Sequence, residues 1–313
     1  MLSFLNKINL VLNRLIPITV PLAVALGFFF PGVFINFRPF VILLFSVMTF
    51  SGALKLTVRE LGNTIKSPLP IILFLITNHV IMPLIALLSS SLIITDTDVI
   101  TGFVLVFAGP TAVSGFIWVT IFKGDKALAL TFILLDTILA PLAVPVTISI
   151  FLGTSVTMDM SGIAVSLIYM VVVPTIIAVS MNEFSKGKIP DAVSPFVEPL
   201  SKICLILVVA ANSSVIAPDI RFDDPVIWII AALCIVLTLI GFLLAKLNGV
   251  IAKCSDEKSA SLVIAGGLRN NSAVMTIAVT FFPEAAVLPT LLSIIFQQTI
   301  TAIIGKVLIK KID

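Results

Sequence analysis

Ala265-Gly-Gly-Leu-Arg-Asn-Asn-Ser272 places an arginine, two asparagines and a serine inside an apolar run that extends from Ala260 to about Phe282. The two glycines weaken a helix, because glycine costs about 1 kcal/mol relative to alanine in a helix interior. A charged side chain at the centre of a bilayer costs a further 2.5 to 3.5 kcal/mol, roughly, on insertion scales. A stretch that bears both costs within one turn predicts a functional site around Arg269.

The composition of the whole chain supports a membrane setting for this stretch. Of 313 residues, 59% are hydrophobic and 11% are charged, and the mean hydropathy is +1.23. A soluble globular domain does not need so much apolar surface, whereas a polytopic membrane protein does. The three cysteines lack paired spacing and there is a single histidine, so no metal site and no other cofactor is expected. The absence of a basic tract argues against a nucleic-acid partner.

Polar and Pro/Gly-rich breaks divide the chain into ten apolar segments of about 20 residues, the length that crosses a bilayer. The segments lie near residues 14–31, 37–56, 69–90, 98–122, 126–152, 161–182, 197–217, 225–250, 259–282 and 285–307. We therefore expect an all-α polytopic membrane protein with ten transmembrane helices, surrounded by the lipid bilayer.

The basic residues in the loops test the count of ten, because lysine and arginine gather on the cytoplasmic side. With ten segments, both termini and every second loop share one side, and that side holds sixteen basic residues. They are Lys7, Arg14, Lys55, Arg59, Lys66, Lys123, Lys126, Lys186, Lys188, Lys202, Lys246, Lys253, Lys258, Lys306, Lys310 and Lys311. The other side holds only Arg38 and Arg221. This distribution predicts that both termini are cytoplasmic, in a bacterial inner membrane.

The ten segments form two halves of five, residues 1–155 and 156–313. Because each half has an odd number of crossings, the two halves are inverted relative to each other. Segments four and nine correspond, and each has a helix-interrupting polar motif in its middle, residues 109–115 in one and 266–272 in the other. The expected helix-break residues are Gly109, Pro110, Gly266 and Gly267. Inverted repeats with broken helices in corresponding positions are typical of secondary transporters, whose site lies at the bilayer midplane where those helices meet.

Several polar side chains lie about ten residues into their segments, which at about 1.5 Å per residue is near the bilayer centre. We expect them to line one substrate or ion pathway. They are Asn78, His79, Ser114, Asp136, Arg269, Asn270, Asn271, Gln297 and Gln298. Adjacent glutamines point in different directions on a helix, so at most one of Gln297 and Gln298 is expected to face the others.

Asp136 and Arg269 are the acid and the base placed deep in segments five and nine, at matching depth. We expect an ion pair between them. Such a pair either locks two helices together or belongs to the pathway, in which case Asp136 changes its protonation or pairing during transport.

His79, the single histidine, is either a titrating group or a hydrogen-bonded structural residue. Pro83, four residues later, is expected to kink that helix and free a nearby carbonyl. Asn270 and Asn271 are expected to cap the second half of a broken helix, a role compatible with anion binding at the exposed N–H groups.

Three stretches of the chain resemble the bile acid:sodium symporter (BASS) family, within the larger group that includes arsenite permeases. Residues 45–61 are similar to the family's second helix and following loop, and residues 123–128 with 136–141 are similar to its fifth helix. Residues 267–272 are similar to its glycine-led ninth-helix motif. The order and spacing of these stretches extend the resemblance over most of the chain.

The resemblance implies a panel of helices one, two, six and seven packed on a core of helices three to five and eight to ten. Discontinuous helices four and nine would cross in that core. It also implies uptake of an organic anion driven by sodium. The chain departs from sodium-coupled members at Asn78, Gly115, Ala129, Ile133, Ala265, Arg269, Gln297 and Gln298. Since a guanidinium repels sodium, we expect sodium coupling to be lost or altered, with proton coupling as the alternative.

The first functional interpretation is a BASS-like secondary active transporter, a symporter that moves a small organic anion by alternating access. In it, Arg269 serves either Asp136 or a substrate carboxylate, for which its donor fork is suited. A second interpretation is an arsenite-type oxyacid efflux permease, because related permeases carry a similar Arg-Asn motif. The positions of Cys204, Cys234 and Cys254, away from the crossing, weigh against it.

An intramembrane serine protease is the remote alternative, suggested by Ser114-Gly115 and the lone His79. Proteolysis requires contact between a serine and a histidine together with an oxyanion hole. Ten crossings with inverted symmetry give that chemistry no support. A sensor or a purely structural membrane protein is a further alternative, against which the absence of a soluble effector domain argues.

Overall fold

The computed structural model describes residues 18–54, 56–57, 68–153, 159–218 and 223–309. Twelve helices occupy these ranges. They are α1 (Ile18–Phe29), α2 (Pro31–Ala53), α3 (Pro68–Ser91), α4 (Thr97–Ala108), α5 (Gly115–Ile121), α6 (Lys126–Leu152), α7 (Met160–Ser185), α8 (Lys188–Ile216), α9 (Pro225–Ile251), α10 (Asp256–Gly267), α11 (Asn271–Phe281) and α12 (Glu284–Leu308).

In the described ranges, seven helices are long and apolar enough to cross a membrane, namely α2, α3, α6, α7, α8, α9 and α12. Large apolar side chains stand exposed on them, such as Leu142 and Ile150 on α6, as lipid contact requires. Helices α4 and α5 together occupy predicted segment four, and α10 and α11 occupy segment nine. The prediction of an all-α polytopic membrane protein is confirmed, and the count of ten crossings stays a prediction.

The described helices divide between two compact units. The first unit draws on Met1–Val58 and Val165–Ile220, and contains α1, α2, most of α7, and α8. The second unit draws on Arg59–Ala164 and Arg221–Asp313, and contains α3 to α6 and α9 to α12. Every residue of the pathway predicted from the sequence lies in the second unit.

In the second unit, two apolar clusters fix the helices that carry the predicted pathway. One cluster joins α3, α4 and α9 through Met82, Phe103 and Leu237. The other surrounds the interrupted helices and includes Phe242 on α9 and Ile264 on α10. Burial of side chains of this size contributes about 1.5 to 3 kcal/mol each when they leave water, so the interruptions in these helices are held between well-packed layers.

Each unit contains one helix that widens by a π-turn just before a proline. In α3 the turn is Thr77–Ile81, ahead of Pro83, and in α7 it is Ile168–Val172, ahead of Pro174. Because proline has no N–H, a carbonyl in the preceding turn loses its helical donor. Hydroxyl groups of other helices replace that donor. Thr147 on α6 donates to the His79 carbonyl at 3.1 Å.

In the first unit, Ser46 on α2 donates in the same way to the Tyr169 carbonyl of α7 at 2.9 Å. The carbonyl that Pro83 was expected to free in the second unit is therefore used as a link between α3 and α6. The widened turn of one helix thus accepts a hydrogen bond from a second helix, which orients the residues of the turn.

The position of the second helix break differs from the prediction. Gly266 and Gly267 are the last helical residues of α10, and the break begins at Leu268. A β-carbon on Gly267 would overlap the ring of Phe242 on α9, and one on Gly266 would crowd Ala245. The two glycines are therefore required for close packing of α10 on α9, and they do not interrupt the helix.

We expect Gly267→Ala to lower the free energy of unfolding by about 1 to 3 kcal/mol, because the added methyl group overpacks the contact with Phe242. Gly32→Ala on α2 is the matched control, since nothing lies within 4 Å of its β-carbon position. That change is expected to be neutral or to stabilise by up to about 1 kcal/mol. Unfolding titrations in detergent would measure both, and Phe242→Leu should restore part of the loss. Equal effects at the two glycines would contradict the packing role.

Candidate functional site

The candidate site is built around the meeting of two interrupted helices in the second unit. Residues 109–114 separate α4 from α5, and residues 268–270 separate α10 from α11. At the meeting point, Thr111 and Arg269 form an isolated antiparallel β-bridge. This two-residue pairing is the centre from which the other contacts extend.

Backbone groups of the two breaks satisfy each other. The Asn270 N–H donates to the Pro110 carbonyl at 2.7 Å, and the Ala112 N–H donates to the Leu268 carbonyl at 3.2 Å. The Thr111 hydroxyl donates to the carbonyl of Ala265, a residue in the last turn of α10, at 2.6 Å. The breaks are buried, and a buried backbone group has no water to bond, so partners of this kind are what permits the breaks.

The first break follows from local sequence. Gly109 has φ −60° and ψ 151°, because a residue that precedes proline is driven out of the helical region by the proline ring. Pro110 itself has no N–H to leave unsatisfied. The second break contains no proline. Leu268 is extended, with φ −95° and ψ 119°, and Asn270 caps α11 through its side chain, which accepts from the Ala273 N–H at 3.3 Å.

Asp136 on α6 connects the first break to α3. One carboxylate oxygen, Oδ2, accepts the Thr111 N–H at 2.6 Å, and the other, Oδ1, lies 2.6 Å from Nε2 of His79. Asp136 is fully buried and the His79 side chain is 10% exposed. A buried carboxylate requires partners for both oxygens, and these two contacts supply them.

The tautomer of His79 follows from this contact. An ionised carboxylate only accepts hydrogen bonds, so Nε2 carries the proton and Nδ1 presents a lone pair when the imidazole is neutral. The Nδ1 atom is buried and has no hydrogen-bond partner in the described part of the chain. The π-turn and the Thr147 bond to the His79 carbonyl hold the residue where its ring reaches Asp136.

Arg269 is buried, with 4% of its surface exposed, and neither Nη1 nor Nη2 has a hydrogen-bond partner among the described residues. The expected ion pair with Asp136 is not formed: one carboxylate oxygen contacts His79, the other accepts the Thr111 N–H, and neither Nη atom of Arg269 has a hydrogen bond to them. Asp136 is still the opposite charge that acts on the guanidinium through space. The donor fork of Arg269 is therefore free to bind another group.

The two glutamines of α12 have different partners. Gln297 is buried, donates to the Arg269 carbonyl at 2.8 Å and accepts from the Asn271 side chain. Gln298 accepts from the Trp118 indole N–H at 3.0 Å and is only partly buried. Gln297 thus joins α12 to the second break, whereas Gln298 joins it to α5.

The buried polar atoms that lack partners gather in this part of the molecule. In the described residues, eight buried side-chain nitrogen and oxygen atoms have no hydrogen bond, and six of them belong to Asn78, His79, Arg269 and Asn271. Asn78 is fully buried with both amide atoms unpaired, and its Oδ1 lies 4.0 Å from the β-carbon position of Gly266. Such atoms cost about 1 to 3 kcal/mol each unless a ligand or water satisfies them.

The structure thus brings together most of the predicted pathway residues but not all of them. Ser114 begins α5 with an exposed side chain that caps no N–H, and it does not join the contacts around Asp136. Asn270 serves as the helix cap. Two contributors escaped the sequence analysis, Thr111 and Thr147. A threonine directly after Gly109-Pro110 was a usable signal, whereas Thr147 had none.

A model of the family described as "Sodium Bile acid symporter family" matches residues 41–218. A Bacillus subtilis (strain 168) protein called "Uncharacterized protein YbaS" is 37% identical over 293 residues, which cover 93% of this chain and 96% of that protein. The "Uncharacterized sodium-dependent transporter YocS" of the same organism is 22% identical over 289 residues, 92% of this chain and 89% of that protein.

A plant protein is similar over a shorter stretch. The "Probable sodium/metabolite cotransporter BASS3, chloroplastic" of Oryza sativa subsp. japonica is 22% identical over 250 residues. These cover 79% of this chain and 58% of the plant protein.

The neighbouring glutamines allow a matched test of the site's framework. We expect Gln297→Leu to lower the free energy of unfolding by about 1 to 3 kcal/mol, because it leaves the Arg269 carbonyl and the Asn271 amide unpaired in a buried place. Gln298→Leu removes only the partly buried bond to Trp118 and should cost at most about 1 kcal/mol. Detergent unfolding of both variants measures the difference. A larger loss at Gln298 would mean that α12 is anchored through α5 instead.

Proposed function

We propose that this chain, which belongs to the Sodium Bile acid symporter family, moves a small organic anion across the membrane by alternating access. Membership of the family makes the protein an integral-membrane secondary transporter and not an enzyme. The serine protease alternative falls with that assignment. The contacts agree, since His79 binds Asp136 while the Ser114 side chain is exposed elsewhere.

The proposal includes ten crossings arranged as two inverted five-segment repeats, with both termini cytoplasmic in a bacterial inner membrane. Two observations support it. Basic residues divide sixteen to two between the alternate sides, and helix breaks occur in segments four and nine, which correspond under inversion. In this arrangement segments one, two, six and seven form the panel. Segments three to five and eight to ten form the core.

One observation carries the choice of an anion: the Arg269 guanidinium is buried with both Nη atoms unpartnered. A buried charge without a hydrogen-bond partner is costly, and the cost is recovered when a ligand of opposite charge binds. The planar fork of arginine matches the two oxygens of a carboxylate. A substrate carboxylate is the ligand that satisfies both conditions.

The other unpaired atoms describe the rest of the ligand. Asn78 offers a donor and an acceptor, and Oδ1 of Asn271 offers an acceptor. A substrate that carries a hydroxyl, keto or amide group beside its carboxylate would pair with these atoms. We therefore propose a small, polar organic anion as the substrate.

Sodium, which the names of two relatives mention, does not fit the residues at this site. A hard cation requires several oxygen ligands, whereas the unpaired oxygens of this site are the two neutral amide oxygens of Asn78 and Asn271, and the unpaired Nη atoms of Arg269 carry a positive charge. Two positive charges about 5 Å apart repel by roughly 3 kcal/mol at an effective dielectric constant of about 20. We propose that sodium coupling is lost or much reduced in this chain.

An arsenite-type carrier finds no thiol at the site. Cys204 belongs to the first unit, Cys234 lies against the Pro289 carbonyl, and Cys254 follows α9 in a turn. The organic anion remains the proposal.

Ligand screening with matched uncharged compounds tests the anion proposal. Acetate, pyruvate, benzoate and succinate should be compared with their amides by thermal shift of the purified protein, because a ligand of the folded state raises its apparent stability. We expect at least one carboxylate, and not its amide, to stabilise the protein. Arg269→Gln should weaken that binding at least roughly 30-fold, the equivalent of about 2 kcal/mol.

Arg38→Gln, a change of an exposed arginine on α2, is the control and should bind as the unaltered protein does. Arg269→Lys should fall between, since it keeps the charge without the fork. Equal stabilisation by acids and amides, or unchanged binding in Arg269→Gln, would refute the role of the guanidinium.

Replacement of sodium by potassium tests the coupling proposal. In proteoliposomes, uptake of the carboxylate that gives the largest thermal shift should proceed at the same rate, within about twofold, in either salt, since a fixed guanidinium stands where a cation would be needed. Choline chloride is the control for ionic strength. A steep and saturable sodium requirement would overturn this proposal without affecting the identification of the anion.

A further inference from the structure

The His79–Asp136 contact is a buried acid–imidazole pair that the anion site leaves unused. Nε2 of His79 donates to Oδ1 of Asp136 at 2.6 Å, while Nδ1 is buried and lacks a partner in the described residues. A lone pair in such a position can accept one proton. Histidine is also the side chain that changes charge near neutral pH, between about pH 5 and 8.

The charges at the site explain why a proton would be needed. With a neutral imidazole, Arg269 and Asp136 together carry no net charge. Binding of one carboxylate makes the buried site negative, which a low-dielectric interior opposes. Protonation of His79 at Nδ1 restores a net charge of zero, and the imidazolium still donates through Nε2 to Asp136.

We propose that the His79–Asp136 pair is the proton-binding site of this transporter, and that one proton is carried with each substrate carboxylate. This inference rests on the proposed transport of an organic anion. The proton enters from the side that supplies the substrate, is held at Nδ1 of His79, and leaves by the same atom when the carboxylate leaves Arg269. No bond other than the N–H bond forms or breaks.

Asp136 is placed to couple the two events. Its Oδ1 faces the imidazole, and its Oδ2 holds the N–H of Thr111, the residue that bridges to Arg269. The same carboxylate also acts on the Arg269 guanidinium through space. A change of charge on His79 therefore alters how strongly Asp136 competes with the substrate for Arg269.

The groups that face the pair are few. Among the described residues packed around α3 and α6, the charged side chains away from helix ends are Asp136 and Arg269, and a further titratable group is the Cys234 thiol of α9, which lies against the Pro289 carbonyl. The others, Asp98, Lys126, Lys246, Asp256, Glu257 and Lys258, lie towards helix ends, and Lys246 is bound to the Ser259 hydroxyl. Proton binding at the pair therefore depends on Asp136, Arg269 and the substrate.

The pH dependence of binding tests the pair directly. The ligand is pyruvate, or the carboxylate of the thermal-shift screen that binds. In the unaltered protein its Kd should fall as the pH falls, by up to about tenfold per pH unit, because one proton binds with each anion. His79→Gln should keep carboxylate binding and lose this dependence. Asp136→Asn should also lose it, and should bind the anion as tightly or more tightly, because the competitor of the substrate is gone. Asp191→Asn, which alters an exposed acid of α8, is the control.

Proteoliposomes that contain the dye pyranine measure the proton itself. Uptake of the radiolabelled carboxylate should acidify the lumen by one proton per anion, and both variants should reduce that acidification at least tenfold while exchange of carboxylate for carboxylate persists. Binding and uptake with no pH dependence and no acidification would overturn the proton site and leave the anion proposal standing. Failure of every carboxylate to bind would instead refute the anion proposal.

A measurement without any ligand keeps the proton site testable in that second case. His79 is the single histidine of the chain, so a protein purified without a histidine tag and labelled on imidazole carbon gives one side-chain NMR signal. That signal should move as the pH is lowered and should respond to Asp136→Asn. A signal that stays constant down to the pH at which the protein unfolds would rule out proton binding at the pair.

Discussion

The need to satisfy every backbone N–H and carbonyl inside a bilayer governs this structure. Two helices are interrupted at buried positions, and a single broken helix there would leave several polar groups without partners. The breaks solve the problem by pairing with each other, through the bonds between Asn270 and Pro110 and between Ala112 and Leu268. Two side chains bind further backbone groups of the breaks: Asp136 accepts the Thr111 N–H, and Gln297 donates to the Arg269 carbonyl.

The hydrogen bonds separate two kinds of buried polar group that the sequence does not distinguish, those with partners inside the protein and those without. Asp136, Gln297 and Thr111 have their hydrogen bonds within the protein, and they give the breaks their geometry. Arg269, Asn78 and Asn271 retain buried atoms without partners. Because unsatisfied buried groups oppose folding, their presence at one place indicates that a ligand or water completes them. Asp136, Thr111 and Gln297 thus form the framework, and the unpaired atoms of Arg269, Asn78 and Asn271 form the proposed binding surface.

The π-turns show how a defect in one helix can serve its neighbours. Pro83 and Pro174 each remove a donor, and a hydroxyl from a second helix binds a carbonyl of the widened turn. In the first unit the result is a link between α2 and α7. In the second unit the turn also carries Asn78 and His79, so the same local device places a fully buried amide and an imidazole beside the breaks.

Hydropathy and the basic residues of the loops predicted a helical membrane protein with segment bounds close to those observed, because lipid exposure and crossing length act on each segment separately. The break at Gly109-Pro110 was also predictable, since proline acts on the residue before it. A break within residues 266–272 was predictable as well, but its start at Leu268 was not. Gly266 and Gly267 are required by contacts with Ala245 and Phe242, which are made only when α10 packs on α9. The partner of Asp136 was equally beyond reach of the sequence. Depth along a helix can be counted from residue numbers, but the rotation of each helix about its axis is set by packing. That rotation places His79, and not Arg269, in contact with Asp136, and leaves the Nη atoms of Arg269 unpaired.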